Sequence, residues 1–175
     1  MKKILGLVAS LTVISAVCAA VLAYVDSLTR DPIAQMLVKK TQEAAKAVMP
    51  DGVESVEEAN AGEAQYFVGK SASGETLGYA VKGKDPGGYG GDVVLMVGFA
   101  ADKKTVVRYR TLEAAETPGL GMKLNTPEFA GQFSGKAGDS LRVKKDGGEI
   151  DAITSATITS RAVCGAIADA CAKLK

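Results

Sequence analysis

The longest uninterrupted apolar run of the chain lies near its start. No charged side chain occurs in residues 4–25, which are 22 residues long. A helix of this length would extend about 33 Å, close to the roughly 30 Å hydrocarbon core of a bilayer. The pattern therefore predicts a membrane anchor in residues 1–30, with the transmembrane helix at about residues 4–25.

A cleaved signal peptide is the alternative interpretation of this segment. Lys2 and Lys3 suit the start of a signal sequence, and the alanines around Cys18 offer weak cleavage sites. The apolar run is longer than the usual signal core, which favours an anchor that is retained. Because Lys2 and Lys3 are the only charges on the short side, that side is expected to be cytoplasmic. We expect a single-pass protein of the cytoplasmic (inner) membrane, bound to the lipid bilayer by this helix, with its domain outside.

Residues 31–175 are predicted to form one extracytoplasmic domain with a helix at each end. Asp31-Pro32 is typical of a helix start, and Pro50-Asp51-Gly52 of a helix end. The last helix is predicted over 154–172. Its apolar residues recur at helical spacing and predict a buried stripe of Val163, Ile167, Ala170, Cys171 and Leu174.

The segments between these helices have the pattern of strands. Residues 92–100 are apolar without alternation, which predicts a strand buried on both faces. Further strands are predicted at 66–68, 77–82, 105–111, 141–144 and 150–153, and a short helix at 127–133. This order indicates an α+β domain, a mostly antiparallel sheet with flanking helices, preceded by one N-terminal transmembrane helix.

Composition removes several classes of function. The formal charge is +1 and long basic runs are absent, so nucleic acid is not an expected partner. Histidine is absent, which excludes Ser-His-Asp and Cys-His catalysis, HExxH zinc sites and haem ligation by histidine.

Cys164 and Cys171 are separated by two helical turns, about 10 Å, so free thiols are expected. The three cysteines cannot hold an iron–sulfur cluster within this chain. No metal site is predicted, and any redox centre should be an organic cofactor.

The strongest chemical signal lies in residues 151–160, where five of the ten residues are Ser or Thr. They occur where a predicted strand runs into the last helix. Free backbone N–H groups in a first helical turn bind anions, and the helix dipole adds to this. A hydroxyl at this place is well positioned to bear a phosphate. Ser and Thr at a helix start are also common as plain caps, and the residues alone leave both interpretations open.

This segment resembles the flavinylation signal of the FMN-binding domain family. That domain occurs in the G subunit of the Rnf electron-transport complex and in the C subunit of the sodium-pumping NADH:quinone oxidoreductase. Ser155 stands where Gly or Ala is usual, and the matching residues are Asp151, Thr154, Ala156, Thr157 and Thr159. The resemblance implies that a flavin transferase joins FMN to Thr157 through a phosphoester. Asp151 would be a recognition or metal-assisting residue for that transferase.

Two further motifs extend the resemblance over most of the chain. Gly88-Tyr89-Gly90-Gly91 resembles the glycine loop of the family, and the run from Glu116 to Gly121, Glu-Thr-Pro-Gly-Leu-Gly, resembles a second characteristic loop. Each motif alone is equally typical of a tight hairpin loop. Their order along the chain makes them specific together. The cofactor-binding residues implied are Thr157, Ser155, Ala156, Thr154, Thr159, Thr117, Gly119, Leu120, Tyr89 and Gly90.

The resemblance implies an electron-carrying subunit of an ion-translocating oxidoreductase complex, not catalytic alone. Its implied partners are the other membrane subunits, including the D subunit, which is the second flavinylated one, and the flavin transferase during maturation. Three alternatives stay open at this point. One is the C subunit of the sodium-pumping NADH:quinone oxidoreductase, and a second is another extracytoplasmic carrier with the FMN-binding domain. The third is an anchored binding or assembly module that never receives FMN.

Overall fold

A computed structural model of the chain describes residues 2–61 and 64–175. The contacts between residues divide the chain into two units, one ending at Lys40 and one spanning Thr41–Lys175. The helices and strands, in chain order, are α1 Lys2–Val48, β1 Ser55–Ala61, β2 Ala64–Lys70, β3 Thr76–Gly88, β4 Gly91–Ala100, β5 Val106–Ala114, α2 Pro127–Ala130 and α3 Thr157–Ala172.

Helix α1 is the one described helix that is long and apolar enough to cross a membrane, and the mean hydropathy of its most apolar window is 2.5. Its hydroxyl groups bond to its own backbone. The Ser10 and Thr12 hydroxyls donate to the carbonyl oxygens of Leu7 and Val8 at 3.0 and 2.9 Å. Such internal bonds leave little polar surface toward lipid. The expectation of a long apolar N-terminal helix is confirmed.

The predicted helix start at Asp31-Pro32 is wrong, because α1 continues through Pro32 without a break. Proline has a backbone φ that a helix tolerates, but in a helix interior it lacks the N–H group that would bond to the preceding turn, and its ring crowds the carbonyl four residues back. An Asp-Pro pair therefore favours a helix start, yet α1 includes this one at an interior position. The predicted end is confirmed, since α1 stops at Val48, ahead of Pro50.

The five strands form one antiparallel sheet in the order β1-β2-β3-β4-β5, which confirms the predicted α+β architecture. Each face of the sheet has its own apolar core. One core includes Leu95 and Phe99 of β4 together with the buried stripe of α3. The other includes Met96 of β4 together with Ala45 and Val48 of α1. Strand β4 is therefore buried on both faces, as its non-alternating pattern predicts.

The strand predictions are wrong in three places. Strand β1 has no counterpart among the predicted strands, and β3 is much longer than expected because it continues through the glycine-rich stretch to Gly88. The segments 141–144 and 150–153 are not strands, since a single parallel bridge joins Val143 to Ile150. The apolar side chains of Val143 and Ile150 belong to the core that includes α3, and this burial accounts for the apolar pattern although no strand forms.

The two helices predicted in the C-terminal part of the domain agree with the structure except at one boundary. The predicted short helix is α2, followed by a 3-10 turn over Gly131–Phe133. The stripe of α3 is buried, and Cys164 and Cys171 are free, buried thiols, as expected. Helix α3 begins at Thr157 instead of residue 154. Ser155 has a φ of 63°, a left-handed conformation that a helix cannot include.

Candidate cofactor site

The start of α3 has no side-chain cap. The residue in the capping position is Ala156, and no side-chain capping hydrogen bond is made there. Alanine has no oxygen to offer, so the first N–H groups of α3 are left for another acceptor. The interpretation of the Ser/Thr cluster as plain caps is therefore wrong.

The Ser160 and Thr157 hydroxyls of the cluster have other partners. Ser160 Oγ accepts a hydrogen bond from the Ile153 N–H at 2.9 Å and donates to the Ala156 carbonyl oxygen at 2.9 Å. These two bonds tie the turn before α3 to its first turn. Thr157, the first helical residue, is only partly buried. Its Oγ1 accepts a hydrogen bond from Lys145 Nζ at 3.3 Å.

Glu116 joins three segments that are distant in sequence. Its side chain is only 6% exposed. Oε1 accepts from the Tyr89 N–H at 2.9 Å, and Oε2 accepts from Thr159 Oγ1 at 2.8 Å. The turn between β3 and β4, the loop after β5 and the start of α3 are thereby held together. A Cβ at Gly121 would lie 2.5 Å from Glu116 Oε2, so the carboxylate occupies the space that a side chain there would need. A Cβ at Gly88 would meet the Gly91 carbonyl oxygen first and would also lie 2.8 Å from Glu116 Oε1.

A cavity of about 510 Å³ opens where these segments meet. Its volume is in the range of small-molecule and cofactor sites. It is lined by Tyr89, Glu116, Thr117, Leu120, Gly121, Ser155, Ala156, Thr157, Ile158 and Thr159.

The rim of this cavity is unusually apolar for a surface. Tyr89 is 72% exposed and Ile158 is 47% exposed. Among the described residues of the Thr41–Lys175 unit, every large apolar side chain that is exposed lies at this cavity or one residue from its lining: Tyr89, Leu120, Met122 and Ile158. Contiguous exposed apolar surface of this kind marks a ligand or partner site.

Asp151 lies on the surface beside a second, smaller cavity of about 200 Å³. Its carboxylate pairs with Lys144 Nζ at 2.7 Å. The Gln132 amide holds its backbone from both sides, accepting from the Asp151 N–H at 2.7 Å and donating to the Asp151 carbonyl at 3.3 Å. Within residues 2–61 and 64–175, no group of three or more His, Cys, Asp or Glu side chains is placed to bind a metal ion.

Two further groups near the start of α3 have shifted pKa values. Arg161 donates two hydrogen bonds of 2.7 Å to Asp146, and these bonds hold the pKa of that carboxyl below its usual value. Burial raises the pKa of the Cys164 thiol to about 12, with a smaller contribution from the Asp146 charge. The thiol is therefore neutral and unreactive in the folded protein.

Comparison with known proteins agrees with this geometry. Residues 88–172 match the FMN-binding domain family. The chain is 32% identical over 173 residues to the G subunit of the ion-translocating oxidoreductase complex of Methanosarcina acetivorans, covering 95% of this chain and 92% of the relative. The chain belongs to the G-subunit family of ion-translocating oxidoreductases. The family inferred from the sequence motifs is thereby confirmed.

This G-family chain is also similar to a second G subunit and to a solved structure. It is 34% identical to the G subunit of the Na⁺-translocating ferredoxin:NAD⁺ oxidoreductase complex of Acetobacterium woodii, covering 93% of this chain and 86% of the relative. The crystal structure of Shewanella oneidensis NqrC matches with a TM-score of 0.53 at 21% identity, over 73% of this chain and 66% of that one. At 21% identity, the similarity to NqrC concerns the fold alone.

The fold brings most of the predicted cofactor residues of this G-family chain into one place. Seven of the ten line the cavity: Tyr89, Thr117, Leu120, Ser155, Ala156, Thr157 and Thr159. The other three do not line it. Gly90 packs against the Ala115 carbonyl, Gly119 forms a turn with a φ of 76°, and Thr154 lines the second cavity with Asp151.

Four residues at the candidate site are not among the predicted cofactor-binding residues: Glu116, Gly121, Ile158 and Lys145. Glu116 and Gly121 stand at the two ends of the Glu-Thr-Pro-Gly-Leu-Gly motif, so the motif itself contained the signal. Ile158 was inside the matched segment but at a variable position. Lys145 had no local signal, because the fold alone brings it to Thr157.

Proposed function

We propose that this chain is the electron-carrying G subunit of a membrane-bound, ion-translocating Rnf-type oxidoreductase, with FMN joined covalently to Thr157 through a phosphoester. The observation that supports it best is the position of the Thr157 hydroxyl. This hydroxyl belongs to the first residue of a helix without a side-chain cap, and Thr157 lines a cavity large enough for a cofactor.

The residues present suit each part of FMN. A phosphate on Thr157 would lie at the open N-terminus of α3, where backbone N–H groups and the helix dipole favour an anion. Lys145 adds a positive charge beside the same oxygen. The exposed apolar side chains of Tyr89, Leu120 and Ile158 offer surface to a flat ring system.

The remaining roles follow from this attachment. Bound FMN accepts and donates electrons, while the chain binds the cofactor, orients it and limits the access of water. A covalent tether retains the cofactor outside the cytoplasm. Electrons would pass between this site and the neighbouring membrane subunits, among them the flavinylated D subunit. The exposed carboxylate of Asp151 would be the group that the flavin transferase recognises.

The test of attachment is the intact mass of the chain after co-expression with a flavin transferase. The wild type should gain the mass of FMN minus one water, on the peptide that contains Thr157. Thr157→Ala should gain nothing. Thr126→Ala is the matched control, because Thr126 also precedes a helix, and it should be modified like the wild type. An unmodified wild type, with the transferase active on another substrate, would favour a non-redox assembly module.

Membrane orientation needs its own experiment. We propose that the start of α1 faces the cytoplasm and the Thr41–Lys175 unit lies outside. Trypsin added to spheroplasts should then digest the domain, whereas inverted vesicles should protect it. Protection in spheroplasts together with digestion in inverted vesicles would contradict the proposed orientation.

A further inference from the structure

The turn next to Thr157 contains a lysine that forms no ion pair with a carboxylate of the described residues. Residues 144–146 are Lys-Lys-Asp and form a 3-10 turn. Lys144 is paired with Asp151 at 2.7 Å, and Asp146 is paired with Arg161 by two bonds of 2.7 Å. Lys145, between them, makes no ion pair with a carboxylate in the described part of the chain. Its hydrogen bond goes to Thr157 Oγ1 at 3.3 Å.

The positive charge of Lys145 matches the charge of the proposed product. A phosphate esterified on both sides, to Thr157 and to the flavin side chain, keeps one negative charge shared by its two free oxygens. These oxygens lie one bond beyond the phosphorus that Oγ1 would bind, within reach of a flexible lysine side chain. The neighbouring pairs have no net charge to contribute, because each lysine or arginine in them already has a carboxylate.

We infer that Lys145 is a positioning residue for the phosphoester on Thr157, and this inference rests on the proposed function. In the attachment step the bond from Oγ1 to phosphorus forms while the Oγ1–H bond breaks. The phosphorus comes from a flavin phosphoanhydride that the transferase supplies. The P–O anhydride bond of this donor breaks, the other phosphate half departs as the leaving group, and the Oγ1 proton passes to a base of the transferase. Lys145 keeps its own proton throughout. It donates to Oγ1 before the step and to a free phosphate oxygen after it.

The same geometry predicts that the role of Lys145 is one of charge. Lysine binds phosphate as a point charge, so arginine should replace it and glutamine should not. Its side chain is exposed, and removing it leaves no buried cavity and no orphaned buried group. Folding should therefore be unaffected by either change.

The first experiment measures the initial rate of flavinylation by intact mass, with purified transferase and full-length chain in detergent. The initial rate for Lys145→Gln should be lower than that of the wild type by at least about fivefold, since a charge-assisted hydrogen bond is lost. Lys145→Arg should restore most of the rate. Lys136→Gln is the matched control, because it removes the same charge where the partner is Glu149. It should be modified at the wild-type rate.

The second experiment separates the phosphate contact from recognition by the transferase. The melting temperature is measured for modified and unmodified forms of each variant. Attachment of FMN should raise it more in the wild type than in Lys145→Gln. If the wild type and Lys145→Gln have equal rates of flavinylation and equal increases in melting temperature, the role of Lys145 would be overturned while the proposed function would stand. A wild type that is never modified would overturn both.

Discussion

Thr159 and Glu116 are 43 residues apart in sequence, and the Thr159 hydroxyl donates a 2.8 Å hydrogen bond to the Glu116 carboxylate inside the domain. The other oxygen of this carboxylate accepts from the backbone of Tyr89. One buried side chain thus fixes the relative positions of the three segments that form the cavity. The glycine motifs around it provide the room that the carboxylate needs.

Glu116→Ala should lower the free energy of unfolding by about 2–3 kcal/mol, because it leaves the Thr159 hydroxyl and the Tyr89 N–H without their acceptor. Urea denaturation of the full chain in detergent would measure this. Glu113→Ala, at an exposed position of β5, should change the value by less than about 0.5 kcal/mol. A double-mutant cycle with Thr159→Val should give a coupling of at least about 0.5 kcal/mol. Additive effects would mean that the bond contributes nothing.

Ser155→Gly should stabilise the domain by about 0.5 kcal/mol, because Ser155 has a φ of 63° and a left-handed conformation is unfavourable for any residue with a Cβ. Ser134 is exposed and has an ordinary φ of −61°, so Ser134→Gly should instead lower the stability slightly. The measurement is the midpoint of urea unfolding for both variants. A loss of stability in Ser155→Gly would show that the serine hydroxyl outweighs the backbone strain.

Gly90→Ala should destabilise the domain by about 1–3 kcal/mol, since the new Cβ would lie 1.7 Å from the Ala115 carbonyl oxygen and would push the Glu116 loop away. Gly87→Ala in the same turn is the control. Its nearest neighbour would be the Asp85 side chain at 2.9 Å, and that side chain can move. Thermal unfolding of the two variants should therefore differ clearly, and equal melting temperatures would contradict the close contact.

Stability should fall as the pH rises above about 9. Burial raises the pKa of Cys164 to about 12 from an ordinary value of 9.0, so the unfolded thiol loses its proton first. Between these values the unfolded state binds fewer protons than the folded state, and the free energy of unfolding decreases by at most about 1.4 kcal/mol per pH unit. Urea unfolding at pH 8, 9 and 10 would measure the slope. Cys164→Ala should have a shallower slope than the wild type, whereas Cys18→Ala should keep it.

Features determined by nearby residues could be predicted from the sequence. The non-alternating run of β4 and the helical stripe of α3 follow from local periodicity, and both are confirmed. Strand β1 could not be found this way, because Glu57, Glu58 and Asn60 give it the composition of a loop. Its conformation comes from pairing with β2, which no local pattern encodes.

The candidate site divides in the same manner. The Ser/Thr segment and the two glycine motifs are contiguous strings, so they could be recognised as such. The burial of Glu116 and the position of Lys145 beside Thr157 result from segments that meet only in the fold. The absence of a side-chain cap on α3 could not be predicted either, because a helix start rich in Ser and Thr normally indicates such a cap.

The burial of β4 on both faces has a consequence for how the domain loses its structure. Its side chains alternate between the core with α3 and the core with the end of α1, so each core is completed by the same strand. Removal of either helix would expose an apolar face of β4 and weaken the support of the opposite layer. The two layers should therefore melt together as one cooperative unit, and a cofactor attached at the start of α3 would report the integrity of the whole domain.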